Sequence, residues 1–394
     1  MYRKTYIEVD LDNLSNNIKS IKENYNNYEY YIGVVKGNGY GHGSYIANTL
    51  IKSGINYLAV SSLEEAINIR KYNKEIPILC LEIVDLDYIN EVIKHDVTIT
   101  VSSLVYLDKL VSLNEENKIK IHLKINAGFN RLGFKNKEEI KEAFKKIKEP
   151  LILEGIYAHF NTLGISDPYY DREVDTFKEL TSEIDLKQIK IVHLGRSVSL
   201  INHPKLDFAN GIRVGIMMYG YNMSPRKNNS LKGKIRNIKA NMRIKKYNIS
   251  KTTLVCKANL STCFSLYSEV MEIQKIKAGE TVGYGLSYKA KEEEYIAIAP
   301  IGYADGLNKK NEGRNVFING KKCPIIGSIN MGMIQIKVDK ETKVGDKIEI
   351  FGENIKVLEV AKYLGTTPYE VLCMLDDKLP KAYRQNKEII FVEK

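Results

Sequence analysis

A chain of 394 residues that is 44% hydrophobic and 27% charged, with only 9 prolines, can bury a sizeable core, which excludes disordered and collagen-like classes. Its length exceeds one small domain and fits two, or one barrel-sized domain with a smaller companion. The net charge of +11 raises nucleic acid as a partner, but the lysines are spread over the whole chain without an aromatic-interleaved basic motif, so a solvated basic surface and no nucleic-acid partner are expected.

The N-terminal MYRKTYIEVD has no apolar signal core, and no run of eighteen apolar residues occurs, which predicts a soluble, cytoplasmic protein without membrane contact. Cys80, Cys256, Cys263, Cys323 and Cys373 show no C-x-x-C pair and read as free thiols, with no metal site. After Asp10, Leu11, Leu14, Ile18 and Ile21 form one helical face. Apolar runs then recur at Tyr31 to Lys36, Tyr57 to Ser62, Pro77 to Glu82, Val97 to Ser103, Ile119 to Asn126, Leu151 to Phe160, Ile189 to Gly195 and Ile212 to Tyr219. Helical stretches such as Leu63 to Tyr72, Lys137 to Ile147 and Glu173 to Ile184 separate them. Eight parallel strands with crossover helices close most simply into an α/β fold, the (β/α)8 TIM-type barrel, with an open doubly wound sheet as the alternative.

Beyond about Arg226 helical periodicity fades. Strand-like runs at Glu272 to Ile276, Tyr295 to Ala299, Val316 to Ile318, Ile334 to Val338 and Lys347 to Phe351 are punctuated by Gly and Asn, and only Val357 to Leu364 reads as a helix. The expected organisation is a barrel over 1–225 and a mostly β C-terminal domain over 226–394, joined through Pro225 to Lys257.

Chemistry is most legible in Val34-Val35-Lys36-Gly37-Asn38-Gly39-Tyr40-Gly41-His42-Gly43, where a lysine ends a buried strand and a glycine-rich turn follows. Desolvation lowers an amine's pKa, and a neutral amine attacks aldehydes, so Lys36 is read either as a Schiff-base anchor or as a strand-end lysine reaching water. The glycine spacing is not G-x-G-x-x-G, and G-K-[ST] is absent, so both nucleotide-loop motifs are rejected.

Val34 to Gly43 resembles the cofactor-lysine motif of the alanine racemase family, pyridoxal phosphate enzymes with a barrel and a β domain. In the family's order follow Asn130-Arg131-Leu132-Gly133-Phe134, Ala158-His159-Phe160, Gly211-Ile212-Arg213-Val214-Gly215, Val282-Gly283-Tyr284-Gly285, Gly302-Tyr303-Ala304-Asp305-Gly306 and Pro368-Tyr369-Glu370. The resemblance implies an amino-acid racemase interconverting L- and D-alanine, with pyridoxal 5'-phosphate carried on Lys36. By the same resemblance Arg213 meets the pyridine nitrogen, His159 supports Arg213, and Arg131 lies near the phenolic oxygen and the substrate. Ser197, the backbone of Gly215 and Ile216, and the hydroxyls of Tyr40 and Tyr369 hold the phosphate. Lys36 and Tyr284 of a partner subunit are the two catalytic acid/base groups, which implies a homodimer with shared active sites. Tyr303 lines the substrate entrance, Met331 meets the substrate carboxylate, and Lys124 matches a position carbamylated in some relatives. Read without the resemblance, Arg213 is better taken as a salt bridge at a strand end and His159 as a core histidine hydrogen-bonded to backbone, and a helix cap is the commoner use of a serine such as Ser197.

The family pattern is broken at Thr162-Leu163-Gly164 and at Gly332, where two acidic residues are absent, at Asn126-Ala127 in place of Asp-Thr, and at Arg196 in place of an asparagine. These departures leave open a racemase of serine or a larger amino acid. Two further readings stand beside it. A decarboxylase of basic amino acids shares the barrel-plus-β plan, but its triple-glycine phosphate loop is absent; a cofactor-binding paralogue without turnover would lack use for Tyr284.

Overall fold

The computed structural model describes residues 3–114, 116–161, 169–222, 235, 238, 242 and 256–393. The chain forms two compact units, one of Ser15–Lys36 and Ala47–Ser261, the other of Met1–Leu14, Gly37–Ile46 and Thr262–Lys394.

After β1 (Tyr6–Asp10), the first unit contains β2 (Tyr30–Val34), β3 (Tyr57–Val60), β4 (Ile78–Cys80), β5 (Val97–Val101), β6 (Ile119–Lys124), β7 (Leu151–Tyr157), β8 (Ile191–Arg196) and β9 (Gly211–Val214). These eight close into a barrel, all pairs parallel, with β2 against β9 completing the ring through Tyr30 opposite Gly211. All eight predicted strands are present, and the barrel rather than the open sheet is formed. β3, β4, β5 and β9 are buried at every position, which is why they read as unbroken apolar runs: helices cover parallel strands outside and side chains fill the inside. The intervening helices start where sequence chemistry allows. Ser62, Ser103 and Asn136 accept hydrogen bonds from the backbone N–H groups of Glu65, Tyr106 and Glu138, satisfying donors left over at a helix start. The last barrel strand ends earlier than expected, since Ile216 to Gly220 turn back after Val214.

The second unit holds β10 (Phe264–Glu269), β11 (Glu272–Ile276), β12 (Thr281–Val282), β13 (Tyr288–Lys289), β14 (Glu294–Ala299), β15 (Asn315–Ile318), β16 (Lys321–Ile326), β17 (Ile334–Val338), β18 (Lys347–Phe351), β19 (Lys381–Gln385) and β20 (Glu388–Glu393). Ten strands make one sheet in the order β11-β14-β17-β16-β15-β18-β10-β1-β19-β20. Burial alternates strictly along β10 and β17, the mark of a sheet with one covered and one wet face. The helix at Val357–Leu364 is found, and a second at Pro368–Cys373 corrects the expectation of a single one; with proline at its start and six residues in all, it carries too little periodicity to be read. A single cut at 225/226 does not describe the division either. β1 lies between β10 and β19, with Ile7 opposite Leu266 and Lys381, because an unpaired strand must find hydrogen-bonding edges wherever the fold supplies them. Almost all of the expected junction, Pro225 to Lys257, lies outside the described residues, as does Thr162-Leu163-Gly164.

Candidate active site

Lys36 is half-buried two residues beyond β2, and the chain then enters a left-handed turn. Gly37, Asn38, Gly39 and Tyr40 have φ of 61, 48, 63 and 53°. An L-residue pays roughly 1–2 kcal/mol for that conformation, so glycine at 37 and 39 removes half the strain and asparagine at 38 tolerates it. The turn is closed by Gly41 N–H to the Gly37 carbonyl and Gly43 N–H to the Asn38 carbonyl, both 2.9 Å. His42 Nδ1 donates to the Gly39 carbonyl at 2.9 Å. Within the β unit the turn presents the buried Tyr40 beside Tyr369, their ring centres 5.7 Å apart.

In the barrel unit the other expected groups gather at the C-terminal ends of the strands, the face on which barrel active sites are built. Lys124 is the last residue of β6, His159 follows β7, Ser197 follows β8, Arg213 lies on β9 and Gly215 just beyond it. Ser197 Oγ accepts from the Gly215 N–H at 3.0 Å, which ties together two of the residues expected to bind the phosphate, and Ile216 is buried alongside. Arg131 is carried by a loop that folds back onto β6: Phe134 N–H bonds the Lys124 carbonyl and Asn126 N–H the Phe134 carbonyl, both 2.9 Å. Asn126 Oδ1 accepts from Asn130 N–H at 2.9 Å, which gives the asparagine found in place of aspartate a defined job. The Arg131 guanidinium lies 4.5 Å from the centre of the Phe129 ring, which packs edge-on against His159. Gly133 permits this fold-back, with φ of 115° and a Cβ position only 2.7 Å from the Lys124 carbonyl. Gly133→Ala is expected to destabilise the protein by about 2–3 kcal/mol, read as a lower denaturant midpoint.

Arg213 is 3% exposed. Its Nη1 donates to His193 Nδ1 at 2.6 Å and to the His193 carbonyl at 2.9 Å, and its Nη2 to the carbonyls of Ala158 and Leu194, each 2.8 Å. Burial and the neighbouring Arg196 and Arg131 push its pKa down to about 10, which leaves it a cation at neutral pH. His159 Nδ1 is 3.4 Å from Nη2, so the closer imidazole support comes from His193. Sequence reasoning missed His193; its one signal is a histidine at a fully buried position of an otherwise apolar strand, IVHLGR.

The electrostatics are one-sided. Lys124 is 5% exposed, with Nζ 4.3 Å over the Tyr157 ring, and burial followed by the charges of Arg213, Arg131 and Lys36 brings its pKa down to about 7. Burial, then Arg213, Arg196, Lys124 and Arg131, hold His159 far below the usual imidazole range. Among the described residues the charges that weigh most on these two groups are all positive, a field suited to an anion.

On the β unit, Tyr284 projects from a tight turn between Gly283 and Gly285, both with positive φ, and is 77% exposed. A side chain at Gly283 would meet the Ser328 backbone nitrogen at 2.6 Å. Tyr303 N–H bonds the Asn330 carbonyl and Ala304 N–H the Met331 carbonyl, which joins the two loops carrying Tyr303 and Met331.

Family models for the N-terminal and C-terminal domains of alanine racemase match residues 9–223 and 263–383. The chain belongs to the alanine racemase family. That makes it an enzyme of the isomerase class. It is 33% identical to the alanine racemase of Halalkalibacterium halodurans, over all of this chain and 98% of that protein. The structure superimposes on alanine racemase from Bacillus anthracis, crystallised with bound L-Ala-P, with a TM-score of 0.86 and 31% identity over 100% of this chain and 98% of that one. For an alanine racemase of Clostridium difficile 630 the TM-score is 0.87, at 31% identity over 100% and 99% of the chains. Among the described residues no cluster suited to a metal ion occurs, and no helix is long and apolar enough to cross a membrane.

Proposed function

We propose that the protein is a pyridoxal phosphate-dependent amino-acid racemase that interconverts L- and D-alanine by a two-base mechanism. The observation that carries this reading is the barrel mouth itself, where a half-buried lysine stands among Lys124, Arg131, Arg196 and Arg213, and where among the described residues the charges that weigh most on Lys124 and His159 are positive. A phosphate-bearing aldehyde fits that donor set. Lys36 would anchor it, Ser197 with the Gly215 and Ile216 backbone would hold its phosphate together with the hydroxyls of Tyr40 and Tyr369, and Arg131 and Arg213 would face its ring. When bound, such a group takes up the substrate amine and accepts the electron pair released as the α-C–H bond breaks.

The chain's own residues do the rest. Arg213 keeps its proton, so it offers the ring nitrogen a hydrogen bond without protonating it, which limits charge build-up on the ring and favours prompt reprotonation. Racemisation then needs one group to take a proton from one face of the α-carbon while another returns a proton to the opposite face. Lys36 Nζ serves one face. The Tyr284 hydroxyl of a partner subunit serves the other, in a homodimer with shared sites. The large exposure of Tyr284, together with exposed Leu286, Met331 and Met333 on the same unit, supports a surface that is covered by a second copy. Tyr303 and Met331 would border the substrate. A reducing, cytoplasmic setting belongs to this reading, in keeping with five scattered cysteines and no C-x-x-C pair in the sequence.

The test is chiral analysis of the purified protein incubated with pyridoxal phosphate and L-alanine in deuterium oxide. D-Alanine carrying deuterium at the α-carbon is expected; no deuterium in any amino acid would leave a cofactor-binding relative without turnover. Gly332 has open space around its Cβ position and no carboxylate, so the same assay on serine, lysine and arginine decides whether larger amino acids enter. An alanine-only profile would sink altered entry.

Lys124 becomes neutral as the pH rises through about 7, and a neutral amine beside the cation of Arg131 is suited to capture carbon dioxide as a carbamate. In 13C-labelled bicarbonate a carbamate resonance is expected to grow above that pH and to be missing from Lys124→Ala.

A further inference from the structure

The interior of a closed eight-stranded barrel is ordinarily filled by layers of branched apolar side chains. Here a line of buried polar groups runs through it to Arg213. Glu154 on β7 is 4% exposed, and His122 on β6 and His193 on β8 are fully buried. Glu154 Oε1 meets Lys190 Nζ at 2.8 Å, and its Oε2 accepts from the Tyr57 hydroxyl on β3 at 2.7 Å. His122 Nε2 faces Oε2 at 3.6 Å, His122 Nδ1 lies 3.0 Å from His193 Nε2, and His193 Nδ1 lies 2.6 Å from Arg213 Nη1. β6 and β8 are not neighbours, nor are β3 and β7, so these contacts cross the barrel's interior.

The backbone is shaped around this line. Of the barrel's strand pairings only β6–β7 and β8–β9 shift register, at Ile121/His122 and at His193/Arg196. Both histidines therefore sit beside ladder irregularities of the kind that re-aim a side chain. Gly155, beside Glu154, leaves the His122 ring its room: a Cβ there would lie 2.5 Å from the ring.

The direction of every bond follows from the two ends. A guanidinium only donates, so His193 Nδ1 is an acceptor and its hydrogen resides on Nε2. That hydrogen is donated to His122 Nδ1, which places the second imidazole's hydrogen on Nε2, aimed at Glu154. Among the described residues His122 Nε2 has no hydrogen-bond partner, so the carboxylate is what it faces. A carboxylate only accepts, and the far end demands the same tautomers as the near end. In a low-dielectric interior such aligned bonds polarise one another.

We propose that Glu154, His122 and His193 are positioning residues for racemisation: a buried one-way relay that locks the Arg213 guanidinium in orientation and sets how strongly it donates to the group bound at the barrel mouth. This rests on the assignment of Arg213 to the cofactor's ring nitrogen.

The test starts on the cofactor-free protein, labelled with 15N-histidine at its 6 histidines and assigned through His122→Gln and His193→Gln. Both rings are expected neutral with hydrogen on Nε2; a hydrogen on Nδ1 of either ring, or a doubly protonated ring, overturns the relay. Leucine and glutamine at 122 are then compared in protein loaded with pyridoxal phosphate. A glutamine amide accepts from His193 and donates toward Glu154, so His122→Gln should keep the parent's visible absorption maximum and stay within about threefold of its kcat, whereas His122→Leu should shift that maximum and lower kcat by about tenfold or more with KM nearly unchanged. Indistinguishable Leu and Gln variants, or a fall in thermal stability alone, overturn the proposal. Should His122→Leu fail to fold, Glu154→Gln supplies the same readouts by removing the charge and keeping an acceptor, and a parent-like spectrum and kcat there are equally fatal. If the parent neither binds pyridoxal phosphate nor racemises alanine, the functional reading fails instead, and the imidazole tautomers still judge the relay.

Discussion

Tyr284→Phe is expected to lower racemisation by about 10²–10⁴-fold, the usual weight of one acid/base group, while leaving the fold intact. The side chain is 77% exposed on its own chain, and loss of a hydroxyl at such a position changes stability by no more than about 0.5 kcal/mol. The informative measurement is α-hydrogen exchange in deuterium oxide, followed separately for L- and D-alanine. With Lys36 still in place, one enantiomer should wash in deuterium with retention of configuration and the other should not. Equal residual exchange of both enantiomers would remove Tyr284 from the second face, and an unchanged racemisation rate would remove it from the reaction.

Lys36→Ala should be more severe, because it deletes the anchoring amine and one acid/base group together; the loss is expected to exceed about 10⁴-fold. The double lesion also permits a test of the shared site. If each active site takes Lys36 from one chain and Tyr284 from the other, a mixed dimer of Lys36→Ala and Tyr284→Phe chains has one site with both defects and one with neither. Co-expression of the two should therefore restore about a quarter of the parent activity under random pairing in a twofold dimer, although each variant alone is nearly inert. No recovery in a mixed dimer verified by affinity tags would mean that both groups come from one chain.

These experiments separate what the residues announce from what the fold assembles. The eight barrel strands were legible because burial on both faces writes itself into the chain as short apolar runs such as Val97–Val101 and Ile78–Cys80, each followed by a helical period. Lys36, Arg131, His159, Ser197 and Arg213 end or follow predicted strands and could be placed at one face, because a parallel barrel puts the C-terminal ends of all its strands together, whatever their order. The helix Val357–Leu364 announced itself by periodicity, whereas the shorter Pro368–Cys373 did not.

Pairing and proximity were beyond such reading. Nothing local in YIEVD tells that β1 leaves the barrel and lies between β10 and β19, since a strand's hydrogen-bonding partners are chosen by edges hundreds of residues away. The single-sign field that lowers the Lys124 pKa arises from Arg213, Arg131 and Lys36, three residues spread over most of the barrel sequence and joined only by closure of the ring. His193, unremarkable in IVHLGR, gains its place at Arg213 because β8 and β9 pair with a register shift beside it. Periodicity is a property of neighbours along the chain, and the sequence alone therefore determined the elements and the chemical types at their ends. Distance, field and hydrogen-bond direction depend on which ends meet, and only the tertiary structure decided those.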